Sequence, residues 1–200
     1  VSIPDENLSK VLRMKETSGL ASPEQEIRAA LEAPVQSPPL GELARGKKSA
    51  CVVISDITRP VPNKQILPVL LNTLEENGIQ RRNVVVLIAT GVHRPNERQE
   101  LEALVGREIA EKYRIVNHFC RMNEDHRHLG ETERGTAVHV DSTFLKADLR
   151  ILTGLIEPHL MAGFSGGRKS VCPGISSLET VKVMHEIGRA SCRERVCHRV

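Results

Sequence analysis

Three short stretches of this sequence crowd together residue types that bind anions and move protons: Ser55-Asp56-Ile57-Thr58-Arg59-Pro60, Thr90-Gly91-Val92-His93-Arg94-Pro95 and Gly154-Leu155-Ile156-Glu157-Pro158-His159. A fourth, Gly163-Phe164-Ser165-Gly166-Gly167-Arg168-Lys169-Ser170 followed by Pro173-Gly174, has the composition of a phosphate cradle. Its glycines let backbone N–H groups come close to an anion, and Arg168 or Lys169 supplies charge, so a phosphate-bearing cofactor fits there. It is not a Walker A loop, because Arg168 separates Gly167 from Lys169 where that motif needs Gly directly before Lys. ATP hydrolysis loses its main support.

Each of these residues also has a plain structural use. Asp56 and Arg59 suit a surface turn. His93 and His159 suit loop histidines that satisfy a carbonyl. Lys169 suits a solvated charge, and His185, at the end of a helical stretch, suits the helix dipole. Cys172 reads as a small packing residue, and His118, His126, His128 and His139 as structural or solvated, without convergent partners. What shifts the balance towards function is that the first three stretches each follow a strand.

A parallel sheet would position them. Residues 49–55 and 83–90 are continuous apolar, β-branched runs, the mark of strands buried on both faces. Between them, 63–77 has helical spacing and ends at Gly78, giving one βαβ unit. Helices are expected at 24–33, 96–105 and, more weakly, on to Tyr113, with further strands at 114–118, 137–141 and 148–154. Strands alternating with helices predict a doubly wound, mostly parallel, Rossmann-like α/β sheet. Ligands bind at the carboxyl edge of such sheets, where Asp56, Thr58, Arg59, His93, Arg94, Glu157 and His159 are expected to converge.

Composition narrows the partners. A net charge of +3, with 26% charged and 40% hydrophobic residues, is an ordinary balance with no basic face. Aromatic residues are 2% and Trp is absent, so stacking platforms for nucleic acid are missing. Five dispersed cysteines without a CxxC pair fit neither a disulfide framework nor a zinc knuckle, and a cytoplasmic location is expected. No apolar run reaches about 18 residues and no signal peptide opens the chain, so no membrane partner is expected.

In order and spacing, the Asp56–Pro60 and Gly91–Pro95 loops, Ile156-Glu157-Pro158-His159, the glycine-rich turn through Lys169 and Pro173-Gly174-Ile175 together resemble the nickel-dependent lactate racemase family, from about residue 1 to His185. The resemblance implies a racemase or epimerase of 2-hydroxy acids, lactate by default. Its cofactor would be a nickel-pincer nucleotide, a pyridinium mononucleotide with two thiocarboxyl-derived arms, made by dedicated cofactor-synthesis enzymes and joined to the Lys169 amine. His185 would be the protein ligand to nickel, and Asp56, Ile57, Thr58 and Arg59 would hold the ribose phosphate or the substrate side. His93 and His159 would be the catalytic pair. One takes the hydroxyl proton as hydride leaves Cα, and the other serves the opposite hand.

The expected organisation is a lead segment, 1–48, packed on an α/β cofactor-binding domain, 49–185. Residues 186–200 lack apolar periodicity and match the translation of a common sequencing adapter, so they are expected to be a non-native tail. Relatives carry a second, substrate-contacting domain with no counterpart here, and without it the chain alone is expected to be inactive. Two other readings stand beside the racemase: a cofactor- or phosphate-binding fragment without turnover, and a zinc-dependent hydrolase using His93, His159 and a carboxylate.

Overall fold

The β-branched runs do become the centre of the molecule. The structure, a computed structural model, describes residues 4–11, 13, 15–159 and 163–185. The chain enters through helices α1 (Pro23–Glu32) and α2 (Leu40–Ala44), then forms β1 (Ala50–Ser55), α3 (Asn63–Glu76) and β2 (Val84–Ala89). Helices α4 (Arg98–Val105) and α5 (Arg107–Lys112) lead into β3 (Arg114–Asn117). A hairpin, β4 (His126–Glu131) and β5 (Ala137–Asp141), and α6 (Ser142–Lys146) precede β6 (Leu149–Leu152). Two short strands, β7 (Pro158–His159) and β8 (Gly163–Phe164), and α7 (Leu178–Met184) complete the described chain.

The four-stranded sheet has the order β3-β2-β1-β6, and all its pairings are parallel. Alternate residues of β1 face opposite layers, as a pleated strand requires. Val52 and Ile54 pack with Leu67, Leu71 and Leu74 of α3, in a layer that also takes Leu40 and Ala44 of α2 and the partly buried Leu31 of α1. Cys51 and Val53 pack on the other face with Val140, Phe144 and Ile175. The chain builds outward from β1 to β2 to β3 and then returns to place β6 on the other side of β1. That reversal leaves a crevice beyond the carboxyl ends of β1 and β6.

Two expectations change. Residues 137–141 do form a strand, but β5 pairs antiparallel with β4 in a separate two-stranded sheet. β4, His-Arg-His-Leu-Gly-Glu, has no apolar alternation that would mark it as a strand. The hairpin is tied instead to α7: Thr180 Oγ1 donates to Ala137 O at 2.9 Å, and Ser177 N–H donates to His139 O at 3.1 Å. No helix among the described residues is long and apolar enough to cross a membrane. The expected tail at 186–200 lies outside the described residues.

Candidate active site

The loops after β1, β2 and β6 open on one edge of the sheet, and the glycine-rich turn folds across them. Ser55, Asp56, Arg59, Thr90, His93 and His159 line one cleft with Lys169 and His185, open to solvent on one side.

Asp56 directs the first loop. Its carboxylate is buried, with Oδ1 accepting the Thr58 N–H at 3.1 Å and the Thr58 hydroxyl at 2.5 Å, an Asx-turn that presents Arg59 to the cleft. Asp56 Oδ2 accepts from His93 Nδ1 at 2.6 Å across 37 residues of sequence. With the hydrogen on Nδ1, the neutral ring keeps a lone pair on Nε2. Arg59 reaches Glu157 at 3.5 Å.

Close approach holds the second wall. A methyl group at Gly166 would meet Leu155 O at 3.1 Å, and one at Gly154 would meet the Gly166 Cα at 3.1 Å, so small residues let the turn lie against the end of β6. Ser165 Oγ donates to Leu155 O and accepts the Glu157 N–H, stitching the same contact. Gly91 N–H donates to Gly174 O at 2.9 Å, which ties the β2 loop to this wall.

The electrostatics are uneven. Burial first, then the neighbouring Lys169 and Arg59 cations, push the His159 imidazole below its ordinary value, with Glu157 opposing. Lys169 is likewise pushed down by burial and then by Arg59, so its amine gives up its proton more readily than an exposed lysine does. His185 caps the end of α7, and its Nδ1 donates to Val181 O at 2.9 Å. That bond fixes the tautomer and leaves Nε2 as the donor atom for a metal, the arrangement metal-ligating histidines usually have.

Not every expected residue joins the cleft. Arg94 turns outward, where both arms of its guanidinium clasp Glu100 at 2.8 and 2.6 Å. Ile57 is 40% exposed, and Thr58 is spent on Asp56. Glu157 acts on the cleft through Arg59. Thr90 is buried in the cleft wall, and nothing in the sequence marks it, because a lone threonine after a strand carries no signal. The four histidines expected to lack convergent partners do pair: His118 with His126 by Nε2 atoms 2.9 Å apart, and His128 with His139 by rings 4.8 Å apart. Cys172 is half-buried beside the turn.

Among the described residues, no three His, Cys, Asp or Glu side chains are grouped to hold a metal. A zinc hydrolase needs about three protein ligands, whereas a metal brought in by a pincer cofactor needs few.

Comparison with known proteins identifies the family. The chain is 38% identical over 185 residues to a lactate racemase of Thermoanaerobacterium thermosaccharolyticum, covering 92% of this chain and 43% of that protein. It is 39% identical over 185 residues to a lactate racemase of Lactiplantibacillus plantarum, with the same coverages of 92% and 43%. The chain thus spans less than half the length of these curated relatives. The solved structure of the lactate racemase apoprotein from T. thermosaccharolyticum superposes with a TM-score of 0.81 at 39% identity, covering 90% of this chain and 42% of that one. The model of the lactate racemase N-terminal domain matches residues 1–196, and the chain belongs to that family.

Proposed function

We propose that residues 49–185 form the cofactor-carrying domain of a racemase or epimerase of 2-hydroxy acids, lactate by default, with a nickel-pincer nucleotide tethered at Lys169. The observation that carries this reading is that His93, His159, Lys169 and His185, drawn from four separate segments, line one cleft.

The residues suit the group. Lys169 offers an amine with a lowered proton affinity for covalent attachment. His185 offers Nε2 to nickel, with Nδ1 already committed to Val181 O. Arg59 offers a guanidinium to a phosphate or to the substrate carboxylate, and Asp56, Ile57 and Thr58 shape the turn that presents it. When bound, the cofactor supplies a reversible acceptor for the Cα hydride, which avoids forming a carbanion.

Proton movement falls to the chain itself. His93, oriented by Asp56, uses Nε2 to take the substrate hydroxyl proton for one enantiomer and to return it. His159 does the same for the other enantiomer, and burial first, then the cations beside it, lower its proton affinity so that the ring hands a proton back readily when the hydroxyl is re-formed. Dedicated cofactor-synthesis enzymes are the partners this requires, and the cytoplasm is the proposed compartment.

The test is metal analysis and racemisation after coexpression with those enzymes. About one nickel per chain, lost in His185→Ala, supports the site; stoichiometric zinc instead would favour a hydrolase. The chain spans 43% of its relatives, so conversion of L- to D-lactate is best measured with residues 1–185 joined to the remaining length of the T. thermosaccharolyticum protein. Nickel binding without racemisation in that chimera would leave a cofactor-binding module as the better reading.

A further inference from the structure

Two imidazoles with no part in this chemistry lie behind the turn that carries His93. His118 follows β3 and is 1% exposed, and His126 opens β4 at 9%. Their rings meet edge to face, with Nε2 atoms 2.9 Å apart, so one of the two nitrogens must carry the hydrogen.

The surrounding bonds say which. His126 Nδ1 lies 2.8 Å from Met122 O, which can only accept, so Nδ1 carries the hydrogen of that ring. In the neutral ring His126 Nε2 is then bare, and His118 Nε2–H donates to it. Burial first, and then His126, depress the His118 imidazole to about 3, so it stays neutral. Asp141, the partner of His126 across the β4–β5 pairing, is the charged group facing the pair.

The pair fixes backbone that the site uses. His118 N–H donates to Ile88 O at 3.1 Å, and His118 O accepts the Thr90 hydroxyl at 2.6 Å. Thr90 O in turn accepts the His93 N–H at 2.9 Å. A chain of hydrogen bonds therefore runs from Met122 through His126, His118 and Thr90 to His93.

We propose that His118 and His126 are positioning residues: their ring-to-ring bond pins the end of β3 and, through the Thr90 hydroxyl, holds His93 in register with Asp56. An apolar pair of similar size would fill the space, and Met122 O would keep the Asp125 N–H, but the ring-to-ring bond would be lost and the end of β3 left unanchored. The inference rests on the reading of His93 as a proton-transfer group, but its test needs no turnover.

The test is nuclear magnetic resonance of the intact chain with labelled histidines. The expected tautomers are Nε2–H for His118 and Nδ1–H for His126. In His126→Phe the Gly91 and His93 amides should exchange about tenfold faster or more, and the hydrogen-bonded His93 Nδ1 proton should broaden away, while the Val53 and Leu71 amides stay as protected as before. Thr90→Val should reproduce this and Thr90→Ser should restore the parent spectrum. An unchanged His93 proton in folded His126→Phe, exchange that quickens equally at Val53 and Leu71, or reversed tautomers would each overturn the proposal. Should His126→Phe fail to fold, the tautomers and the Thr90 pair decide. A missing Lys169 adduct would count against the racemase and leave this hydrogen-bond chain standing, whereas an unmoved His93 signal would do the reverse.

Discussion

Asp56 Oδ2 and His93 Nδ1 lie 2.6 Å apart, a buried carboxylate against a half-exposed imidazole, joined from the ends of β1 and β2. The carboxylate fixes which nitrogen carries the hydrogen and stabilises positive charge when the ring takes a second proton. Asp56→Asn keeps the shape and removes the charge. In the chimera it should lower racemisation by about 10²-fold or more with the fold intact by circular dichroism. Rates within about threefold of the parent would separate Asp56 from the chemistry.

Lys169 has a lowered proton affinity, set by burial first and by Arg59 second. Only the neutral amine attacks an acyl donor, and a lowered value gives more of it at a given pH. Labelling with a small acylating reagent, read by peptide mass spectrometry, should reach half its maximum below the ordinary lysine value of 10.5. In Arg59→Gln the profile should move back towards alkaline pH. Profiles that coincide for the two proteins would remove Arg59 from this role.

Much of this was legible in the residues, for identifiable reasons. The runs Val52–Ile54 and Val84–Ile88 have no polar face, so only a strand covered on both sides can bury them. Loops placed after such strands must share an edge, which is why Asp56, His93 and His159 could be brought together across about a hundred residues. What stayed hidden depended on side-chain geometry. A turn-forming Asp-x-Thr-Arg does not say that one carboxylate oxygen will reach His93, and nothing in the sequence separates Arg94, which Glu100 clasps, from Arg59. Residues 137–141 read as a strand, but their β4 partner was illegible because it is polar, and with it the hairpin and the pairing of His118 and His126.

Two glycines of the binding wall should respond very differently to a methyl group. At Gly174 the added Cβ would lie 2.3 Å from Ser170 O, so Gly174→Ala must shift backbone; it should cost about 3 kcal/mol or prevent folding. At Gly167 nothing lies within 4 Å and only the left-handed φ of 48° opposes the change, for about 1 kcal/mol. Urea midpoints give the ranking, and equal losses would mean the turn is not packed as described.

The buried imidazole makes stability fall in mild acid. His118 takes a proton at about 3 when folded and near 6.5 when unfolded, so between those values only the unfolded chain binds it. Stability is full above pH 6.5 and declines as pH falls, by at most about 1.4 kcal/mol per pH unit from this group. His159, also lowered, adds in the same direction, while Asp141, raised by burial, opposes it nearer the carboxylate range. Urea unfolding between pH 6.5 and about 5 should therefore show a slope that His118→Gln reduces. An identical slope in the two proteins would place the proton elsewhere.

The central claim, that the cleft is built to carry a tethered nucleotide, is tested most directly by mass. After coexpression with the cofactor-synthesis enzymes, the intact chain should gain the mass of one pincer nucleotide, peptide mapping should place it on Lys169, and Lys169→Arg should abolish it. A chain that stays unmodified while those enzymes load a known lactate racemase in parallel, or an adduct on any other residue, would contradict the account.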